Sequence, residues 1–184
     1  MKYMILPLKD NGRIPILNPH ANGNAWFVDN MKYVDNADDE LSMLGSINTK
    51  HIAVANKSFQ SILGEAKADS TAQITLTAYE ANELGYEAES KQGGVVVFSE
   101  IYYPGWTATV DGNEVEIARV DYVLRAIRID GGKHHINLKF DPQSVHTTDT
   151  IAYIALILLA LMLIGAIALP IIKAKREGKN NVEK

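Results

Sequence analysis

The sequence predicts an α+β protein that has a small mixed α/β start, an antiparallel β-sandwich and one transmembrane α-helix. Short apolar runs around one capped helical segment characterise residues 1–68. Alternating apolar and polar segments separated by glycine turns follow in residues 69–146, and seven of them at such spacing favour a sandwich. An uncharged run of 22 residues, IAYIALILLALMLIGAIALPII, indicates a membrane helix within residues 147–172, and residues 173–184 form a basic tail.

The first predicted element is a strand in the segment KYMILPL, which has the pattern of a strand cut from a larger sheet. Its apolar stretch, MILPL, has only five residues and is too short for the core of a secretion signal. We therefore expect the chain to be the carboxy-terminal piece of a longer polytopic protein, whose earlier spans set the topology.

One clear helix is predicted in the segment NADDELSMLGSI. Asn36 is the expected N-cap, and Gly45 stands where a C′ glycine belongs. Asp38, Asp39 and Glu40 could be taken for a metal or acid/base cluster. Three consecutive residues fan around a helix, however, and acids in a first turn are explained by the helix dipole.

Seven strands are predicted in the second half, in the segments TAQITLTAYEA, LGYEAES, GGVVVFSEIYY, WTATV, EVEIA, YVLRAIRI and HHINLKF. Ile136, Leu138 and Phe140 share one strand face, which we expect to be buried. Residues 95–98, VVVF, are apolar on both faces, as in a central strand. A tight hairpin turn is predicted at residues 111–113, because Gly112 can adopt positive φ.

The 22-residue run reaches about 33 Å as a helix, enough to cross a hydrocarbon core of about 30 Å. Thr147, Thr148 and Thr150 are polar cap candidates just before it. Four basic residues follow the run within eight positions, whereas none lies just before it. Because basic residues stay on the cytoplasmic side, residues 1–146 are predicted to be extracytoplasmic and residues 173–184 cytoplasmic, in the cell (inner) membrane.

Composition excludes several classes of function. The tail after Ile172 carries five basic and two acidic residues, which leaves 13 basic and 20 acidic residues, a net charge of −7, in the first 150. Nucleic acid is therefore not an expected partner, because its binding needs a basic face. The absence of cysteine excludes thiolate catalysis and cysteine-bound zinc. No nucleophile elbow or phosphate-binding glycine motif is present, and we expect no cofactor.

Histidine gives no clear metal motif either. His134 and His135 are adjacent in a predicted strand, so they point to opposite faces and cannot grip one ion together. His20, His51 and His146 are isolated in sequence. No metal site is predicted.

The nearest approach to a ligand site is aromatic. Tyr102, Tyr103 and Trp106 surround Pro104-Gly105 at a strand end, where a flat ring with a polar edge suits the apolar face of a sugar. A tryptophan that begins an alternating strand also serves as core, so a structural corner and a sugar platform both remain open.

Several of these segments carry a resemblance. The pieces NAWFVDN and YYPGWTATVDG, within longer matching stretches and followed by a span with a lysine-rich end, resemble the carboxy-terminal part of the bacterial YfhO family of polytopic membrane proteins. The family resembles GT-C glycosyltransferases, which transfer a sugar from a polyprenyl-phosphate donor to an acceptor such as a cell-envelope glycopolymer.

The resemblance implies the lipid bilayer, other membrane helices of the parent and a glycan or polyprenyl-phosphate sugar as partners. The family's catalytic acid is expected in an early loop that has no counterpart here, so no catalytic residue is assigned. The resemblance thus implies an accessory domain of a transferase that is not itself catalytic. The alternative is a non-catalytic binding or scaffold module of the cell envelope.

Overall fold

The computed structural model describes residues 3–8 and 12–180, with side chains described as far as Pro170. The chain divides into two units, Met1–Asp141 and Pro142–Lys184. Antiparallel sheets dominate the first unit and a long apolar helix the second, which confirms the predicted α+β class.

The chain begins with an antiparallel hairpin of β1 (Tyr3–Pro7) and β2 (Arg13–Leu17). The predicted strand in KYMILPL is thus confirmed, and within the described residues it pairs with β2 in a two-stranded sheet. Both strands are exposed along their whole length, including the large apolar side chains of Ile5 and Leu17.

A parallel pair follows, formed by β4 (Asn30–Val34) and β5 (Ile52–Asn56) and connected through helix α1 (Ala37–Leu44). The Asn36 side chain accepts the Asp39 backbone N–H at 2.9 Å, which confirms the predicted N-cap. Gly45 is itself the C-cap, with φ −67°, and does not adopt the left-handed conformation of a C′ glycine. A 3₁₀ turn (Lys57–Phe59) and a one-turn helix α2 (Gln60–Leu63) complete this half.

Two antiparallel sheets form the rest of the unit. The five-stranded sheet has the order β10-β9-β13-β7-β6, with bounds β6 Gln73–Tyr79, β7 Glu83–Ser90, β9 Trp106–Val110, β10 Asn113–Val115 and β13 Gly132–Phe140. The four-stranded sheet has the order β11-β12-β8-β3, with bounds β3 Ala25–Val28, β8 Gly94–Ile101, β11 Ala118–Val120 and β12 Leu124–Ile129. Because β3 precedes residue 68 and pairs with β8, the predicted α/β start contributes a strand to the later sheet.

The four-stranded sheet has a hydrophobic core on each face. Val96 and Phe98 of β8 join a cluster with Ile136 and Leu138 of the five-stranded sheet. Val95 and Val97 join a second cluster, which includes Ala53 and Ala55 of β5 and Leu63 of α2. The prediction that the VVVF segment is central and apolar on both faces is therefore confirmed, and so is the burial of Ile136 and Leu138. Phe140, which was predicted to share that buried face, is only partly buried because it lies at the end of β13.

The hairpin between β9 and β10 confirms the predicted turn. Val110 pairs with Asn113, so Asp111 and Gly112 form a two-residue loop with φ values of 52° and 83°. Positive φ at both positions is the geometry of a type I′ turn, which matches the twist of the strands.

Two predicted strands differ from the observed ones. The segment EVEIA divides between two sheets: Val115 ends β10 of one sheet, and Ala118 begins β11 of the other. The segment YVLRAIRI becomes a strand only at Leu124, because Tyr122 has φ 71° and lies in the turn between β11 and β12. The passage of EVEIA from one sheet to the other does not interrupt its alternation of apolar and polar residues, so the sequence pattern does not reveal it.

The second unit is helix α3 (Gln143–Asn180), in which residues 143–170 form a candidate membrane span. The most apolar stretch of 18 residues in it has a mean hydropathy of 2.8 and is not buried. The assignment of Thr147, Thr148 and Thr150 as caps is wrong, because all three lie inside the helix. Their hydroxyls donate to the backbone carbonyls of Gln143, Ser144 and His146, four residues earlier. The predicted tail, residues 173–184, lies outside the described side chains.

Candidate functional site

The candidate site is the aromatic corner, which we define as Tyr102, Tyr103 and Trp106 at the loop between β8 and β9. All three line one groove of about 460 Å³. Tyr103 and Trp106 both pack against Phe140 at the end of β13, with ring centroids 6.2 and 5.4 Å away. Tyr102 turns toward Phe59 instead, at 6.3 Å in an edge-to-face contact. The structure therefore brings the three predicted residues together, but anchors them on different elements.

Arg125 occupies one face of the Trp106 ring. Its guanidinium carbon lies 4.0 Å from the ring centroid, a cation–π geometry. The Arg125 side chain is only 2% exposed, and its nearest acid is Glu100 at 3.6 Å. Burial lowers the pKa of Arg125, although the Glu100 carboxylate opposes this. Trp106 thus serves a structural role on that face, which is not available to a ligand.

Tyr103 is the most accessible ring of the corner. It is 61% exposed, whereas Tyr102 and Trp106 are partly buried. The exposed carboxylates of Glu114 and Glu116 line the same groove. Carboxylate oxygens accept hydrogen bonds from hydroxyl groups, and an exposed ring covers an apolar face, so the groove has the chemistry that a sugar requires.

Sequence reasoning missed several residues that pack against the aromatic corner. Phe140 was expected only in the core, and Arg125 and Phe59 were not singled out. Their contacts with the corner join positions 19 to 43 residues apart in sequence, as in the pairs Trp106–Arg125 and Phe59–Tyr102. The sequence did offer a signal for the two acids of the groove, because Glu114 and Glu116 alternate with Val115. Both acids are exposed, Glu114 in β10 and Glu116 just after it.

The acidic turn of α1 divides into two kinds of residue. Asp38 and Asp39 are exposed, as the dipole interpretation expects. Glu40 is completely buried and accepts hydrogen bonds from Arg119 Nη2 at 3.2 Å and from the Tyr122 backbone N–H at 2.8 Å. The helix dipole alone therefore does not explain Glu40, which ties α1 to the turn between β11 and β12.

The two adjacent histidines have different surroundings. The His134 ring lies 2.7 Å from Oδ2 of Asp111, and the His135 backbone N–H donates to Oδ1 at 2.8 Å. These bonds, led by the His135 N–H, hold the pKa of Asp111 below its ordinary value. Among the residues that the structure describes, no group of three or more His, Asp or Glu side chains is placed to hold a metal ion.

Comparison with protein families found a match to a family described as bacterial membrane protein YfhO, over residues 41–169. The matched range begins in the middle of α1 and covers the two larger sheets apart from β3, and nearly all of the apolar part of α3. No curated protein and no solved structure matches the chain.

Proposed function

The chain belongs to the YfhO family of bacterial membrane proteins, and on this basis we propose that it is the extracytoplasmic accessory domain and final membrane span of a glycosyltransferase. The parent would take sugar from a polyprenyl-phosphate donor and add it to a cell-envelope glycopolymer. The accessory domain shapes access of the acceptor or steadies the catalytic loops, and it does not perform the transfer.

The observation that carries this proposal is the aromatic corner. An exposed Tyr103 ring stands beside Glu114 and Glu116 in an open groove, so an apolar sugar face can stack while its hydroxyls donate to the carboxylates. The domain also has an excess of acidic residues, which suits a neutral glycan better than a polyanion.

The alternative function, a non-catalytic envelope scaffold, is favoured by the packing of the same corner. Arg125 covers one face of Trp106 and Phe140 contacts both Tyr103 and Trp106, as expected of a loop locked for structural reasons. The two functions differ in what the groove binds.

The test uses the full 184-residue chain in lipid nanodiscs. We expect no hydrolysis or transfer from a polyprenyl-phosphate sugar, and weak binding to cell-envelope glycans on a glycan array. Tyr103→Ala should weaken that binding about fivefold, the effect of losing roughly 1 kcal/mol of stacking. Trp106→Ala should weaken it as well, provided that circular dichroism shows an intact fold.

Tyr79→Ala is the matched control, because Tyr79 is a tyrosine of similar exposure, 66%, on strand β6 away from the corner. Turnover by this chain would contradict the accessory role. Glycan binding that is equal in the Tyr103 and Tyr79 variants would remove the sugar platform and leave the scaffold function.

A further inference from the structure

Exposed apolar side chains of the first unit gather at one end of its two larger sheets. We call it the exit end, because β13 finishes there at Phe140 and the chain continues from it into α3. The Phe140 N–H donates to the Asn82 carbonyl at 2.9 Å, which holds the turn between β6 and β7 beside it. The loop between β8 and β9 is fixed there as well, because the Asp141 N–H donates to the Gly105 carbonyl at 2.8 Å.

Aliphatic and aromatic side chains are exposed at the exit end. Ile101, the last residue of β8, is 65% exposed, and Tyr79, the last residue of β6, is exposed to a similar extent. Tyr122 and Val123 are exposed in the turn before β12, and the start of β12 pairs with the end of β8. Together with the aromatic corner, these residues give the exit end an apolar surface that is rich in tyrosine.

The turn that carries Tyr122 and Val123 is anchored from below. Oδ1 of Asp121 accepts the Val54 N–H at 2.9 Å, and the Asp121 N–H donates to the Val54 carbonyl at 2.7 Å. The Tyr122 N–H donates to the buried carboxylate of Glu40 at 2.8 Å. Tyr122 and Val123 are thus exposed because a fixed turn presents them.

The opposite end of the same sheets is polar. Its turns consist of residues 69–72, 91–93, 111–112 and 130–131, with the sequences DSTA, KQG, DG and DG. Apart from the exit end and the hairpin of β1 and β2, Leu41 of α1 is the only exposed large apolar side chain among the described residues of the first unit. Exposed apolar surface that is concentrated in this way indicates an interaction with an apolar partner.

The hairpin of β1 and β2 joins the first unit at the exit end. Its connection to β3, residues 18–24, lines a groove of about 1030 Å³ together with Ser99 and Asp121. The Asn24 carbonyl accepts the Ser99 N–H at 2.8 Å, which fixes the end of this connection next to the last residues of β8. The hairpin therefore leaves the two sheets on the side where the other exposed apolar residues lie.

The hairpin is apolar on both faces. Ile5 and Leu17 are exposed on one face, and Leu6 and Ile14 are exposed on the other. A two-stranded hairpin is at best marginally stable by itself in water. Its apolar faces therefore need a surface that covers them.

A further strand is not suited to cover the hairpin at β2. The Leu8 N–H donates to the Gly12 carbonyl at 2.9 Å, and hydrogen-bonded pairs alternate with non-bonded pairs along an antiparallel ladder. Pro15, which pairs with Ile5, therefore directs its backbone outward in the middle of β2, where it has no N–H to offer another strand. The partner is expected to contact the faces of the hairpin instead.

The path of the chain identifies the bilayer as this partner. Two residues separate Phe140 from the start of α3, and the uncharged run begins at Ile151, eight residues after Gln143. Eight helical residues rise about 12 Å, of which the head-group layer takes up about 5 to 8 Å. The chain thus tethers the exit end within a few ångströms of the head-group layer, where tyrosine and tryptophan are enriched in membrane proteins.

The charges at the exit end select the kind of lipid. Glu80 and Glu83 are exposed in and beside the turn between β6 and β7, and Glu114 and Glu116 line the groove of the aromatic corner. These carboxylates are repelled by anionic lipid. The expected surface is therefore a zwitterionic head-group layer, with the burial of apolar and aromatic side chains supplying the free energy.

We propose that the exit end and the hairpin of β1 and β2 lie against a zwitterionic head-group layer, with Tyr79, Ile101 and Val123 as contacts from the two sheets. The contact adds a second attachment to lipid, outside the span. It does not depend on the orientation of the span or on the proposed glycosyltransferase function. The contact surface excludes Tyr103, which the proposed function assigns to a ligand.

The test places single cysteines in the full chain, which has none, and labels them with bimane in phosphatidylcholine nanodiscs. Ile5→Cys, Ile101→Cys and Val123→Cys report on the proposed surface, and Asn113→Cys at the opposite end is the control. We expect a lipid with a nitroxide on its head group to quench bimane several-fold more at the first three positions than at position 113. Aqueous iodide should quench in the reverse order.

The double variant Ile101→Asp, Val123→Asp tests the contact itself, with the bimane label at position 5. Both side chains are exposed, so the unfolding midpoint should not change. The docking equilibrium constant, measured as the ratio of quenched to unquenched bimane, should fall about tenfold because two apolar contacts are lost. Gln92→Asp, which adds a charge at the polar end, should have no effect.

Three outcomes overturn the inference. The first is equal quenching at all four labelled positions. The second is shielding of positions 101 and 123 from iodide without quenching by the nitroxide lipid, which would show that protein, such as a second copy, covers them. The third is lipid quenching at position 5 that the double variant leaves unchanged, or that anionic phosphatidylglycerol strengthens.

Discussion

At the residue scale, Glu40 differs from the two acids before it because its carboxylate is inside the protein. It is 0% exposed and accepts hydrogen bonds from Arg119 of β11 and from Tyr122 of the turn that follows, about 80 residues later in the chain. Removing a buried acceptor leaves its donors unpaired, whereas removing an exposed one costs little.

We therefore expect Glu40→Ala to lower the free energy of unfolding by about 2 to 4 kcal/mol, between the cost of an unsatisfied buried donor and that of a broken buried ion pair. Asp38→Ala, in the same helical turn but exposed, should cost about 0.5 kcal/mol. Urea melts in detergent micelles measure both, because Trp26 and Trp106 lie in the first unit and report its unfolding. Equal costs would refute the buried role of Glu40.

Asp121 gives a prediction for pH. Its pKa rises from an ordinary 3.8 to about 6 on folding, chiefly because burial disfavours the charged form. Between these values the folded state holds the proton more tightly than the unfolded state, so stability should fall as pH rises from 4 to 6. The loss is on the order of 3 kcal/mol and is complete above about pH 7.

Asp121→Asn removes this titration while keeping an oxygen for Val54. The stability difference between the wild type and this variant should therefore shift against the wild type as pH rises from 4 to 7, measured by urea melts at each pH. Parallel pH profiles of the two proteins would show that Asp121 does not titrate as described.

Residue roles that depend on local sequence could be predicted, and those that depend on distant partners could not. The Asn36 cap bonds a residue three positions away, so the local pattern was sufficient. Asp121 and Glu40 acquire their roles from Val54 and Arg119, which are 67 and 79 residues away in sequence. No spacing rule links such positions.

At the scale of elements, strand β13 shows how the alternation of buried and exposed side chains determines their contributions to stability. Leu138 is completely buried in the cluster between the two sheets, while its neighbour Lys139 is exposed and pairs loosely with Asp141 at 3.4 Å. A cavity in the core costs much more than the loss of an exposed ion pair.

Leu138→Ala should accordingly lower the free energy of unfolding by about 2 to 5 kcal/mol, and Lys139→Ala by less than about 1 kcal/mol. The same tryptophan-detected urea melts compare the two neighbours directly. Coinciding midpoints would mean that the register of β13 is wrong.

Helices and strands could be predicted from the periodicity of neighbouring residues. Where each strand ends and which strand it pairs with could not be predicted in this way. The burial of β8 on both faces and the two-residue turn at Asp111-Gly112 follow from pattern and from glycine chemistry. The division of EVEIA between two sheets does not, because alternation continues across it. The threonines before the span likewise resemble caps in sequence, but their hydroxyls bond carbonyls within a helix that begins earlier.

At the scale of the whole molecule, membrane attachment and family could be inferred from the sequence, since an uncharged run and distinctive motifs are local properties. The family match confirms a bacterial membrane protein. The sequence also indicated that the three residues of the aromatic corner lie together. The stacking of Arg125 on Trp106 and the groove beside Asp121 could not be predicted, because they arise from packing between distant segments.

The central claim is that the first unit lies outside the cytoplasm while the basic tail, residues 173–184, stays inside. Cysteine labelling tests this claim most directly. The chain has no cysteine, so Asn113→Cys in the exposed hairpin and Asn180→Cys in the tail can be placed singly in a full-length parent freed of its other cysteines. With an impermeant thiol reagent on intact cells, we predict labelling at position 113 and none at position 180, because the basic residues hold the tail inside. Labelling at position 180 but not at position 113 would contradict the account.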